Sequence, residues 1–345
     1  MEVLLAISFL FLALPVYWAW RLAWLTFRAA RTRTSNDRDW PRVAVVLSLR
    51  GADPFLTDCL THVLDQDYPH YQVHIVIDSA EDPAWDAVKG VLAQTAGPRP
   101  EVIVRPLERR KDSCSLKISA QLQALESLDP AVDVVAFTDA DVIPSRGWLR
   151  ALVAPLGNAR VGATTAFRWY APRSASWGSL VRYLWNAAAC PQMWAFQIPW
   201  GGSLALHSRV FRSPELVNQW QESFGEDTRT YSVLRKLGCK LEYVPVAASV
   251  NAETISLAGC CTFIRRQLFS VRSSHALWPG LLALNVAGGL ALTCALTIMV
   301  LAACLQNWPA CAVAGAALAF YVLGLLGGLL IAEPCFRKIV RRQGQ

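Results

Sequence analysis

Val132-Asp133-Val134-Val135-Ala136-Phe137-Thr138-Asp139-Ala140-Asp141 ends a Val-rich apolar run on two carboxylates, and its reading decides the fold. Such a run is a buried strand. In extended chain, side chains at i and i+2 project to the same side, so Asp139 and Asp141 face one way. Pro144 blocks continuation of a central strand. Open α/β sheets bind ligands just beyond the carboxyl ends of their strands. Paired carboxylates there can hold a hard divalent cation through oxygen, and such a cation can neutralise a diphosphate. A solvated acidic turn has the same sequence, so the surrounding chain has to decide.

Upstream, Arg42-Val43-Ala44-Val45-Val46-Leu47-Ser48 reads as a strand, Val73 to Ile77 as a second ending at Asp78, and Glu101 to Val104 as a third. Helical stretches intervene at 54–64, 84–92 and 115–128, the last with Ile118, Leu122, Leu125 and Leu128 on one face. This alternation predicts an α/β domain with a mostly parallel sheet and helices on both sides. Neither a dinucleotide fingerprint, nor a P-loop, nor an internal repeat is present.

The domain is not the whole chain. Of 345 residues, 54% are hydrophobic and 17% charged, and the mean hydropathy is +0.29, which favours a membrane protein carrying a domain. Val3 to Trp20 runs without a charge, about the length needed to cross a bilayer. Glu2 precedes it and the positive charge follows, the reverse of a cleaved signal peptide, so the segment reads as a signal anchor. Ala276 to Leu305 and Ala310 to Ala332 are two further apolar spans, with Gly280, Gly288, Gly289, Gly324, Gly327 and Gly328 available for close helix packing. The net charge of +7 is concentrated beside these spans, at Arg21, Arg28, Arg31 and Arg33, at Arg265, Arg266 and Arg272, and at Arg337, Lys338, Arg341 and Arg342. Three crossings place all these clusters on one side. That predicts an integral membrane protein with its N-terminus outside and its domain and C-terminus cytoplasmic. The charge is thereby assigned to membrane flanks rather than to nucleic acid. No feature identifies a protein partner.

The expected organisation is a signal anchor at 1–27, a basic linker at 28–40, a cytoplasmic domain at 41–275, two spans within 276–332 and a basic tail at 333–345. Ten scattered cysteines without C-x-x-C read as reduced thiols facing the cytosol, and five histidines show no zinc-ligand spacing.

Asp78 stands at a strand end as Asp139 and Asp141 do, which suggests one shared crevice, although a turn or helix cap would explain each alone. Lys117 occupies the first turn of a helix, where the dipole disfavours a cation. A bound phosphate or plain solvent exposure would each offset that. Gly225-Glu226-Asp227-Thr228 opens a helix that ends near Arg235, Lys236 and Gly238, so capping is the default reading of its acids. Asp227 gains interest as a third carboxylate. The segment Trp177 to Trp200 is aromatic and weakly charged, which favours the membrane interface near an acceptor entrance, with core packing as the rival.

The order Asp78/Asp82, Asp139-Ala140-Asp141, Glu226-Asp227, basic residues and terminal spans resembles membrane-bound family 2 glycosyltransferases, and more narrowly their ceramide glucosyltransferase branch. Ser48-Leu49-Arg50-Gly51-Ala52-Asp53-Pro54 is similar to that branch's K-P-L-K-G-x-D-P, and Asp67-Tyr68-Pro69-His70-Tyr71-Gln72-Val73 to its D-Y-P-x-Y-E-V. Asp82-Pro83-Ala84 and Glu226-Asp227 match its D-D-P-A in part and its E-D. The resemblance implies a GT-A-like nucleotide-sugar-binding fold and inverting transfer from a nucleotide-diphosphate donor, a UDP-sugar, to a lipid alcohol. It implies Asp78, Asp82 and Lys117 as donor contacts, Asp139 and Asp141 as ligands of Mg²⁺ or Mn²⁺, and Asp227 as general base.

Two departures stand out. Counting from Arg266, Phe269 and Ser270 replace the Arg and Trp of the family's (Q/R)-x-x-R-W, leaving Arg265, Arg266 or Arg272 to hold the diphosphate. The branch often carries D-S-G where this chain has Asp139-Ala140-Asp141. Alternatives therefore stay open: a hopanoid, polyprenyl phosphate or polysaccharide acceptor, or a non-catalytic nucleotide-sugar-binding membrane protein.

Overall fold

The computed structural model describes residues 2–31, 39–94, 99–172 and 174–342. Most of the expected linker, Arg33 with it, and residues 343–345 lie outside the described residues. The chain begins with helix α1 (Glu2–Ala29), then alternates β1 (Val43–Leu49), α2 (Leu56–Leu64), β2 (Tyr71–Ile77), α3 (Ala84–Gln94), β3 (Glu101–Pro106), α4 (Leu116–Glu126) and β4 (Val134–Thr138). Then come α5 (Trp148–Val153), β5 (Val161–Thr165), β6 (Arg168–Tyr170), α6 (Trp177–Phe196), β7 (Ser203–His207), α7 (Ser208–Phe211) and α8 (Pro214–Trp220). The last elements are α9 (Glu226–Lys236), β8 (Lys240–Tyr243), β9 (Ser249–Asn251), α10 (Leu257–Ser274), α11 (Trp278–Cys304) and α12 (Trp308–Arg342).

The main sheet runs β3-β2-β1-β4-β7-β5-β8, and β6 pairs with β9 in a small second sheet. β1, β2, β3 and β4 are parallel, whereas β7 runs antiparallel to both of its neighbours. The central strands bury both faces, which is why they read as continuous apolar runs. Alternation sends Ala44, Val46, Val135 and Phe137 into one core and Val43, Val45, Leu47, Val134 and Ala136 into the other. Ile118 and Leu122 of α4 and Trp220 of α8 cover the first face, while Leu60 of α2 and Trp148 of α5 cover the second. The expected layered α/β architecture is present.

Among the described residues, α1, α11 and α12 contain three stretches long and apolar enough to cross a membrane, Val3–Ala29, Trp278–Cys304 and Trp308–Ile339. Close packing concentrates on one pair. A Cβ at Gly324 would stand 2.6 Å from Val16, and Trp20 Nε1 donates to the Gly324 carbonyl at 2.9 Å. Gly288 and Gly289 meet nothing within 4 Å, so they do not serve this packing.

The expected basic tail is for the most part a continuation of α12. Phe336 is fully buried in the domain and stacks on Trp169 with ring centroids 4.2 Å apart. Glu333 accepts from Trp169 Nε1 at 2.5 Å and from Tyr183 Oη at 2.8 Å, and pairs with Arg337 at 2.6 Å. The last membrane helix is thus built into the core of the domain.

Candidate active site

β4 ends at Thr138, and the next residues carry Asp139 and Asp141 out of the sheet. The register that pairs Thr138 with Ser203 sets Gly201 and Gly202, just before β7, beside these carboxylates. α9 brings Glu226 and Asp227 to the same place from its first turn. Lys117, in the first turn of α4, joins them: its Nζ lies 2.6 Å from Asp139 Oδ1 and 2.5 Å from Glu226 Oε1. Two carboxylates from other elements therefore offset the unfavourable dipole at Lys117, where the sequence suggested phosphate or solvent.

The two glycines make this approach sterically allowed. A Cβ at Gly201 would land on the Glu226 carboxylate, and one at Gly202 would lie 2.8 Å from Asp139 Oδ2. The Gly201 N–H is also free to donate to Asp227 Oδ2 at 3.2 Å, while Thr228 N donates to Asp227 Oδ1 at 2.7 Å.

Burial and charge set the acids apart. Burial pushes Asp227 up to about 7, with the Glu226 carboxylate adding to it, against Lys117 and the two backbone donors. Burial would also raise Asp139, but Lys117 and Arg168 outweigh it and hold that carboxyl below its usual value. Asp141 is raised by burial, with Asp139 and Asp53 adding and Arg168 opposing. Three acids within one cluster thus differ in proton affinity, the pattern that lets one act as a base while another stays ionised.

The acids line a cavity of about 420 Å³, with Asp53, Arg168, Trp200 and Arg266 also on its wall. A second cavity of about 480 Å³ adjoins it, lined by Met193, Leu268, Val271, Leu281 and Leu282 and reaching Asn285 on α11. Asp227, Trp200 and Gln267 border both. The acidic cavity therefore meets, at Asp227, an apolar passage along α11.

Of the expected site residues, Asp139, Asp141, Lys117, Asp227 and Arg266 share the first cavity. Asp78 and Asp82 do not line it. Asp78 pairs with Arg50 at 3.3 Å and Arg110 at 3.0 Å, and Asp82 accepts from Gly51 N at 2.9 Å and Ala84 N at 2.8 Å. They stand on the same sheet edge and hold the Arg50–Asp53 loop, whose Asp53 does reach the cavity. α10 presents Phe263, Arg266, Gln267 and Ser270, one helical face, to the cavity. Arg265 and Arg272 lie off that face, and Phe269 turns outward against Phe224 at 5.6 Å.

The aromatic segment divides between its two readings. Trp177 is 77% exposed and Leu180 and Leu184 are exposed, whereas Trp185 and Trp200 line cavities and Trp194 packs on the core.

Sequence reasoning missed Arg168. Its guanidinium contacts Asp139 at 3.3 Å and Asp141 at 3.4 Å, and lies over the Trp200 ring at 4.8 Å. A lone charge inside Phe167-Arg168-Trp169-Tyr170 was the available signal, because an arginine in an apolar run needs a buried anionic partner.

A mannosyltransferase from Pyrobaculum calidifontis, solved in complex with GDP-Man and Mn²⁺, shares the GT-A-like fold, with a TM-score of 0.58 and 21% identity over 97% of each chain. An N-acetylglucosaminyltransferase of Mesorhizobium japonicum is 27% identical over 262 residues, 70% of this chain and 58% of that protein. A ceramide glucosyltransferase of Pyricularia oryzae is 40% identical over 61 residues, 17% of this chain and 12% of that one. The chain thus matches less than two thirds of the length of either relative. Residues 3–336 match the family described as Glycosyl transferase family 21, a match that runs from the first membrane helix through both cavities to Phe336. On that extent, the chain belongs to glycosyl transferase family 21.

Proposed function

We propose that the chain transfers a sugar, with inversion, from a nucleoside-diphosphate donor to the hydroxyl of a lipid presented from the bilayer. One observation carries this reading: Asp227 borders both the acidic cleft and the apolar passage along α11. Donor and acceptor chemistry need such a meeting point, and a carboxyl raised to about 7 suits a proton acceptor near neutral pH. The donor is a UDP-sugar by the family resemblance. The Mn²⁺ and nucleotide-sugar complex of the archaeal mannosyltransferase supports a nucleotide sugar and a divalent cation in general.

Asp139 and Asp141 fit Mg²⁺ or Mn²⁺. They offer hard carboxylate oxygens to one cavity, the donor type such a cation takes. Asp139 and Asp141 would hold a cation whose charge would neutralise the diphosphate leaving group. Lys117 and Arg266 line the same cleft and supply further positive charge toward the phosphates, while Arg265 and Arg272 do not line it. Asp78 and Asp82 shape the nucleotide end of the cleft, Asp82 by holding Gly51. Asp227 takes the proton of the acceptor hydroxyl as its oxygen bonds to the anomeric carbon. The anomeric bond to phosphate breaks on the opposite side, and the nucleoside diphosphate leaves.

The arginine clusters support a domain on the cytoplasmic side with the N-terminus outside. The test is nucleotide release in detergent with a panel of UDP-sugars, Mn²⁺ or Mg²⁺, and lipid alcohols. Release should rise when a suitable alcohol is added. Release that no lipid alcohol changes would reject a lipid acceptor.

A further inference from the structure

Arg168 does something that neither the motif pattern nor the proposed reaction accounts for: one guanidinium spans both carboxylates of the Asp139–Asp141 pair. It occupies oxygens that a hard cation would need. Its contacts, 3.3 and 3.4 Å, are long beside the roughly 2.7–2.9 Å of a strong charge-assisted hydrogen bond. Lys117, at 2.6 Å from Asp139, is the tight partner, and Arg168 is the loose one.

The backbone under it is fixed. Arg168 pairs with Ser249 across the small sheet, and its carbonyl accepts from Asn186 Nδ2 at 2.9 Å. Movement is therefore left to the side chain, which interacts with the Tyr170 side chain and rests over Trp200, a surface along which a planar guanidinium can shift without losing its cation–π contact. Its Nε is buried and has no hydrogen-bond acceptor among the described residues. An incoming phosphate oxygen would satisfy it.

Charge points the same way. The Asp139–Asp141 pair is already held by Lys117 and Arg168, so a divalent cation entering alone has to compete with both, although Asp53 and Glu226 add negative charge to the same cavity and Arg266 positive charge. A divalent cation entering with a diphosphate gives Arg168 a new anion to bind. We infer that Arg168 is a displaceable counter-ion that leaves the Asp139–Asp141 pair for the donor's phosphates, making cation binding depend on the nucleotide. This rests on the donor reading above.

The experiment measures Mn²⁺ affinity by electron paramagnetic resonance, with and without UDP, for the full chain in detergent. In the wild type, UDP should tighten Mn²⁺ binding about 5- to 100-fold, the usual span of coupling between linked sites. Arg168→Ala should bind Mn²⁺ more tightly than the wild type when UDP is absent, bind UDP more weakly, and lose most of the coupling. Arg168→Gln, which keeps polarity and much of the length without charge, repeats the comparison if the alanine variant does not fold. Equal Mn²⁺ affinities for wild type and variants without UDP would overturn the inference while leaving the donor reading intact, as would unchanged coupling. A wild type that binds neither Mn²⁺ nor UDP would overturn both.

Discussion

The backbone N–H of Gly201 donates to the Asp227 carboxylate at 3.2 Å, and this contact ties the start of β7 to the start of α9. It joins the element beside Asp139 to the one that carries the proposed base. The contact exists because Gly201 has no side chain, since a Cβ would fall on Glu226.

Gly201→Ala should therefore cost about 1–3 kcal/mol of stability, the usual range for overpacking, and lower turnover as α9 is pushed from the cleft. Thermal unfolding and a transfer assay on the same preparation check both. Gly288→Ala is the control. A Cβ there meets nothing within 4 Å, so turnover should not move and stability should not fall.

Asp227 also predicts a pH signature. Its pKa is raised to about 7 by burial and by Glu226, with Lys117 opposing, so kcat/KM should fall about tenfold per unit below pH 7 and level off above it. Stability should run the other way. A carboxyl whose folded pKa is raised holds its proton more tightly when folded, so its contribution is present below the unfolded value and is lost as pH rises through about 7. pH–rate and pH–unfolding profiles test the two limbs, and Asp227→Asn should remove this part of the stability slope.

The four parallel strands β1 to β4 and the apolar spans were legible because each follows from a local pattern, whereas β5, β7 and β8 were not read. Val134 to Phe137 could only be a buried strand, and Asp139 and Asp141 mark its end. The acidic corner of the site was legible for the same reason. What local pattern cannot carry is pairing between distant segments. Arg168 reaches the acids through a strand paired with β9, and Gly201 through the antiparallel register of β7. Asp78 looked like Asp139 in sequence, yet its carboxylate pairs with Arg50 and Arg110 and does not line the acidic cavity. The burial of Phe336 was equally silent, since one aromatic in a basic stretch has no periodic signal.

Phe336→Ala should be costly for that reason. Removing a fully buried ring stacked on Trp169 is expected to destabilise by about 3–5 kcal/mol. Leu330→Ala, at a side chain 72% exposed on the same helix, should be near neutral in detergent. Unfolding curves of the two variants measure the difference.

The apolar passage can be blocked from its membrane side. Leu282 lines it and is itself partly exposed, so Leu282→Trp has room to fold while narrowing the route. The acceptor KM should rise severalfold with Mn²⁺-dependent UDP affinity unchanged. Titrating each substrate separately shows whether the change is confined to the acceptor.

The most direct test compares transfer rate with UDP affinity in Asp227→Asn, a substitution that keeps shape and removes basicity. Mn²⁺-dependent UDP binding should stay close to that of the wild type while transfer falls about 10²–10⁴-fold, the usual contribution of a general base. Asp141→Asn, measured beside it, should weaken UDP binding together with transfer. Transfer by Asp227→Asn at near the wild-type rate would contradict the account.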